Sequence, residues 1–173
     1  MTIPRPQESE YPKFFAGYIG KVPDSGPLQM LEAQESAFDA LGELNEERGD
    51  HRYAEGKWSV KEVLGHMADA ERVFAYRLLR IARGDQTPLP GFDENAWAVT
   101  APHAHRRIKE IANEMSAVRA ASLALYHTLD ATAIANQGTS NNAPITARAL
   151  SWILAGHAQH HLDILRERYG LQI

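Results

Sequence analysis

The chain has 173 residues, 44% of them apolar and 23% charged, with a formal net charge of -4. This is ordinary for one globular domain with its own core, and the mildly acidic balance offers no basic surface for nucleic acid or an anionic membrane. There are no cysteines, which excludes disulfides, thiolate metal sites and a cysteine nucleophile and leaves the redox compartment open.

The opening MTIPRPQESEYP lacks the apolar core of a signal peptide. No apolar run approaches the roughly 20 residues of a membrane span, so a cytoplasmic protein is expected. Tyr11 to Ile19 reads as a short helix. A first long helix is expected from about Pro27 to Arg48, with Leu31, Phe38, Leu41 and Leu44 at helical spacing and Gln34 among them. After a short loop to Trp58, a second runs from about Ser59 to Ala82. Ser59 and Glu62 form a capping box, Val60, Val63, Leu64, Met67, Ala70, Phe74, Leu78 and Ile81 form its stripe, and Gly84 is its stop.

About twenty residues, "GDQTPLPGFDENAWAVTAPHAH", then connect to the next helix. A connection this long carries function or small helices of its own, and Phe92 to Val99 suits one. The third helix is expected from about His105 to Leu129. The turn-rich "DATAIANQGTSNNAP" leads to a fourth from about Ile145 to Tyr169, with Pro144 just before or inside its first turn and Gly170 ending it. No window alternates as a strand does. The expectation is an all-α fold, one domain over residues 1–173, built as a four-helix bundle with one long crossover between the second and third helices.

The fourth helix carries "GHAQHH" within its apolar stripe. At 100° per residue from His157, Ile153 lies at about -40°, His161 at about +40° and His160 at about -60°, all facing the core. His157 and His161 are spaced i, i+4, which puts two imidazoles about 6 Å apart on one face and suits shared metal ligation. A third ligand would come from a facing helix, and His66, at the edge of the second helix's stripe, is the candidate. The residues alone leave two readings open: a metal centre, or buried histidines satisfied in some other way. His160 reads as groove lining. His51, His103, His105 and His127 read as surface histidines.

"KWSVKEVLGHMADAERVFAYRLLRIARGD" and "AGHAQHHLDILRERYG" resemble the second and last helices of the DinB/YfiT-like superfamily, and "YPKFFAGYI", "YAEGKWS" and "TPLPGFDENAWA" fit one of its subgroups. The resemblance covers nearly the whole chain. It implies an up-up-down-down bundle, a homodimer, and a divalent metal held by three histidines, which map here onto His66, His157 and His161. Zinc is the first expectation, with nickel or iron also suited to imidazole.

Members include thiol-dependent transferases and isomerases, and proteins named metal-dependent hydrolases. The resemblance therefore implies a metal that activates a substrate thiol or water, on a small molecule, with a low-molecular-weight thiol as co-substrate in the thiol-dependent case. The alternative is a non-catalytic metal-binding stress-response module. No general base is assigned. Asp93 and Glu94 either reach over the site or form a solvated turn. Arg77 either meets an anionic substrate or makes an outer salt bridge. Phe92 and Trp97 either wall a pocket or pin the crossover. DNA binding has no Lys/Arg stripe to support it.

Overall fold

The structure, a computed structural model, describes residues 2–173. After two short 3-10 turns comes α1 (Ala16–Ile19). The first bundle helix is interrupted. It consists of α2 (Pro27–Ala33) and α3 (Glu35–Gly42), and the expected final turns are a separate α4 (Glu46–Asp50). Gln34 marks the break because its side chain is pulled inward, its Nε2 donating to Ala155 O and Gln159 Oε1, each at 3.1 Å. Asn45 caps α4 through the Arg48 amide.

The second bundle helix, α5 (Val60–Ala82), is as expected. Ser59 Oγ accepts from the Glu62 amide at 3.2 Å and Glu62 Oε2 accepts from the Ser59 amide at 2.6 Å. Gly84, at φ 79°, ends it, with its own amide on Ile81 O and the Asp85 amide on Arg80 O. This is a left-handed cap that only glycine adopts without strain. The crossover holds α6 (Glu94–Thr100), capped by Asp93, and a 3-10 turn over Pro102–His105. The third bundle helix is α7 (Ile108–Tyr126), followed by α8 (Ala131–Ala135).

The expectation of no strands fails here. β1 (Gln137–Ser140) pairs antiparallel with β2 (Ala143–Thr146), and Pro144 lies in β2. Asn141 and Asn142 join them at φ 50° and 62°, the two-residue hairpin loop that needs positive φ at both positions. Strands of four residues carry too little alternation to be seen in sequence. The fourth bundle helix therefore starts later, as α9 (Ala147–Glu167), capped by Thr146 Oγ1 on the Ala149 amide. The hairpin also catches the crossover. The Leu89 amide donates to Thr139 O and the Asn141 amide to Leu89 O, both at 2.9 Å.

The four-helix bundle and its long crossover are as expected, but the helix senses are not up-up-down-down. Lys109 meets Glu43 and Arg119 meets Leu31, so α7 runs against α2–α3. Arg72 meets Glu114 and Arg83 meets Thr128, so α7 runs along α5. Trp58 meets Tyr169 and His66 meets His157, so α9 runs against α5. The order is up-down-down-up. One long crossover allows one parallel pair of consecutive helices, and the shorter connections reverse the chain.

The core is two apolar clusters, one around Leu31, Leu78, Leu150 and Ile153, the other around Phe38, Leu64, Met67, Met115 and Leu162. A polar belt separates them. In it Arg119, 0% exposed, donates Nε and Nη2 to the two carboxylate oxygens of Glu71 at 2.9 and 2.8 Å, and Nη1 to Leu31 O and Gln34 Oε1. His157 lies in sequence where the two clusters meet, between Ala155 and Ala158, and His66 lies among residues of the second, Leu64 and Met67. Among the described residues, no helix is long and apolar enough to cross a membrane.

Candidate metal centre

α5 and α9 pack against each other antiparallel and bring His66 opposite His157 and His161. His157 Nε2 lies 3.3 Å from His66 Nε2 and 3.1 Å from His161 Nε2. One candidate ligand atom from each ring falls within 4.8 Å of the others. His157 and His161 are buried, and His66 is partly so. Burial holds His66 down to about 4 and holds His157 and His161 well below the usual imidazole value. All three rings are therefore neutral at pH 7.

This arrangement resists a hydrogen-bonded solution. A neutral ring nitrogen carries either one proton or one lone pair. The central His157 Nε2 faces a nitrogen on each side, so no arrangement of single protons gives both contacts a full hydrogen bond. Three lone pairs aimed at one cation remove the conflict. Tetrahedral donors about 2.0–2.1 Å from a zinc ion stand about 3.3–3.4 Å apart, close to the two separations measured from His157 Nε2. The residues present fit a divalent metal.

Aromatic rings wall the site. Trp58 lies 4.9 Å from the His66 ring, and Phe74 and Tyr18 each lie 5.3 Å from the His157 ring. Tyr18 reaches this position because Gly156 lets α1 come down on α9. A Cβ at Gly156 would stand 2.0 Å from Tyr18 O. Burial raises the Tyr18 hydroxyl above its ordinary value, and the nearby Glu94 adds to this, so it keeps its proton.

A cavity of about 340 Å³ opens from the three histidines. Glu94, Arg77 and Phe92 line it, whereas Asp93 serves as the α6 cap, with its Oδ1 accepting from the Asn95 and Ala96 amides at 3.0 Å. Among the described residues, Arg77 has no salt-bridge partner. It is 5% exposed, and its Nη2 donates to Pro90 O at 2.7 Å. Trp97 does not line this cavity. It packs on Phe92 at 4.7 Å and lines the cavity beside it.

His160 stays outside the trio and packs tilted against Tyr18 at 5.3 Å. His51, His105 and His127 are exposed, as expected. His103 is not. It is 6% exposed, with its Nε2 3.1 Å from Asp69 Oδ2 and its ring over Gly65, where a Cβ would stand 2.3 Å from it. A glycine on α5 provides the niche for this ring, which a reading of local periodicity does not reveal. Tyr18 and Trp58 were also missed as site residues. Their signals were the aromatic runs "YPKFFAGY" and "KW" and the glycine preceding His157.

Fold and site together define a four-helix-bundle protein with a buried three-histidine group open to a cavity. The DinB superfamily matches residues 29–165. The chain belongs to the DinB superfamily. A candidate metal-dependent hydrolase of Oceanobacillus iheyensis is 26% identical over 140 residues, 78% of this chain and 80% of that protein. A second, from Bacillus licheniformis, is 42% identical over 70 residues, 40% of this chain and 39% of that protein.

Among solved structures, Bacillus subtilis YfiT, described as a candidate metal-dependent hydrolase with an unusual four-helix-bundle topology, superposes with a TM-score of 0.73. The identity is 21%, and the match covers 96% of this chain and 94% of YfiT. A mycothiol-dependent maleylpyruvate isomerase superposes with a TM-score of 0.65 at 16% identity, over 84% of this chain and 62% of the isomerase. These two likenesses are of fold.

Proposed function

We propose that this chain is a metal-dependent enzyme in which His66, His157 and His161 hold one divalent ion, zinc first among the imidazole-suited ions and nickel or iron next. Its substrate is a small molecule, and its chemistry is hydrolysis or thiol transfer. The observation that carries this reading is the convergence of three neutral imidazole nitrogens, with His157 Nε2 3.1 and 3.3 Å from its neighbours, at the end of a cavity. A divalent ion held there lowers the pKa of a water or thiol and presents it as a nucleophile at neutral pH.

The chain's own residues do the rest. Phe74 and Trp58 restrict water around the imidazoles. Tyr18, which keeps its proton, serves as a hydrogen-bond donor to the reacting group. Glu94 lines the same cavity and accepts a proton in this reading. The reading also takes residues 1–173 as one domain, in a cytoplasmic homodimer.

Metal analysis of purified wild type and H157A tests the site. Wild type is expected to carry about one equivalent, and H157A less than a tenth of that. Equal metal in the two refutes the ligand assignment. Turnover of metal-loaded protein, against esters, amides and electrophiles paired with thiols, tests the enzyme. Full metal content with no turnover on the whole panel favours the non-catalytic metal-binding module instead.

A further inference from the structure

Two arginines are buried to 5% exposure or less, and they are treated differently. Arg119 is fully paired with Glu71. Arg77 has no carboxylate oxygen within 4.0 Å among the described residues. A buried charge without a partner is costly unless a partner arrives. Of its N–H groups, the structure uses Nη2, on Pro90 O at 2.7 Å. Among the described residues Nε and Nη1 have no protein acceptor, yet they are not sealed off. Among the described residues, the buried side-chain polar atoms without a partner are His103 Nδ1 and Ser122 Oγ. The free edge of the guanidinium therefore meets open space.

That space is double. Arg77, Gly91 and Phe92 line both the histidine cavity and a second one of about 380 Å³, whose other walls include Leu89, Pro90 and Trp97. The Phe74 ring stands between Arg77 and the imidazoles. Its centre is 6.0 Å from Arg77 Cζ and 5.3 Å from the His157 ring. Phe92 lies 5.6 Å from the same Cζ.

We propose that Arg77 anchors a carboxylate of the small-molecule substrate, whose apolar body rests against Phe92 and Trp97 and whose reacting end points to the histidines. The last clause rests on the function proposed above, but the carboxylate subsite does not. A planar guanidinium with an unused edge matches a carboxylate's two oxygens, and burial strengthens that pairing. Arg72 also lines the second cavity but is paired with Asp69 and Glu114, so among the described residues Arg77 is the unpaired cation of the two cavities, and one such charge balances a monoanion, not a phosphate dianion. The bond to Pro90 positions the guanidinium, and the hairpin that holds Leu89 positions Pro90.

The test is titration of purified protein, before and after chelation, with 3-phenylpropionate, its neutral amide 3-phenylpropanamide, and inorganic phosphate, followed by NMR on the Gly91 and Phe92 amides. The acid is expected to shift both signals and to bind roughly 10- to 100-fold more tightly than the amide, the range set by one charge-assisted contact. R77M should lose that preference, R77K should keep part of it, and H157A should keep it whole.

Equal binding of acid and amide, phosphate binding more tightly than the acid, or a preference kept in R77M and lost in H157A overturns the proposal. R77M also loses the Pro90 bond. If its melting curve shows no folded state, R77K and the wild-type comparison of acid with amide decide. Should H157A retain its metal and still prefer the acid, the metal assignment fails and the carboxylate subsite stands.

Discussion

Gly156 shows how one residue without a side chain builds the site. It sits beside His157 on a fully buried stretch of α9, and the Tyr18 carbonyl occupies the space where a Cβ would stand. The close approach lays the Tyr18 ring edge-on against the imidazole. G156A must push α1 away or bend α9, an overpacking that costs about 1–3 kcal/mol or more. Chemical denaturation should show that loss, and a midpoint equal to wild type would refute the contact. The i, i+4 spacing of His157 and His161 was visible in sequence, because helical geometry alone puts those rings together. The role of Tyr18 was not, because it depends on a contact between segments far apart in the chain.

The long elements were legible because each has a continuous stripe and a chemical boundary, as α5 does with the Ser59–Glu62 box and Gly84. The first bundle helix is less regular than its apolar stripe suggests. Gln34 looked like a polar interruption of a stripe, yet it belongs to the belt with Arg119 and Glu71 that ties α2–α3, α5, α7 and α9 together. Removing one partner of a buried ion pair leaves the other charge uncompensated, at about 3–5 kcal/mol, whereas replacing both with apolar residues costs far less. E71A should therefore destabilise strongly, and E71L/R119M should melt above E71A. If the double variant melts below the single, the uncompensated Arg119 charge is not what E71A costs. The hairpin had a signal in Asn141–Asn142, but its strands are too short for alternation to register.

At the scale of the whole molecule, the three-histidine group joins two antiparallel helices, and its chemistry sets an acid limit on the fold. In the folded, metal-free protein the three imidazoles resist protonation, with His66 held down to about 4 by burial and the other two well below their usual value. In the unfolded chain they protonate near pH 6.5. Between those values the unfolded state binds more protons, so stability rises with pH and is lost as pH falls from about 6.5 towards 4. Metal-free protein should show a melting temperature that is steady from pH 8 to 7 and falls from pH 6.5 to 4.5. Metal should raise it throughout the neutral range, through a stabilisation of about 2.7 kcal/mol at a hundredfold excess over Kd. A metal-free melting temperature equal at pH 7 and pH 5 would show that the rings are not buried in the neutral form.

The sequence by itself determined the four amphipathic helices, where most of them begin and end, and which face of α9 carries its histidines. These follow from the 3.6-residue period and from caps, which act within a few residues of chain. Tertiary structure decided what lies opposite each face: His66 across from His157, Arg77 beneath Pro90, His103 over Gly65, and the up-down-down-up sense of the bundle. Those pairings depend on side-chain volumes and close approaches between segments far apart in the chain, which no local period encodes.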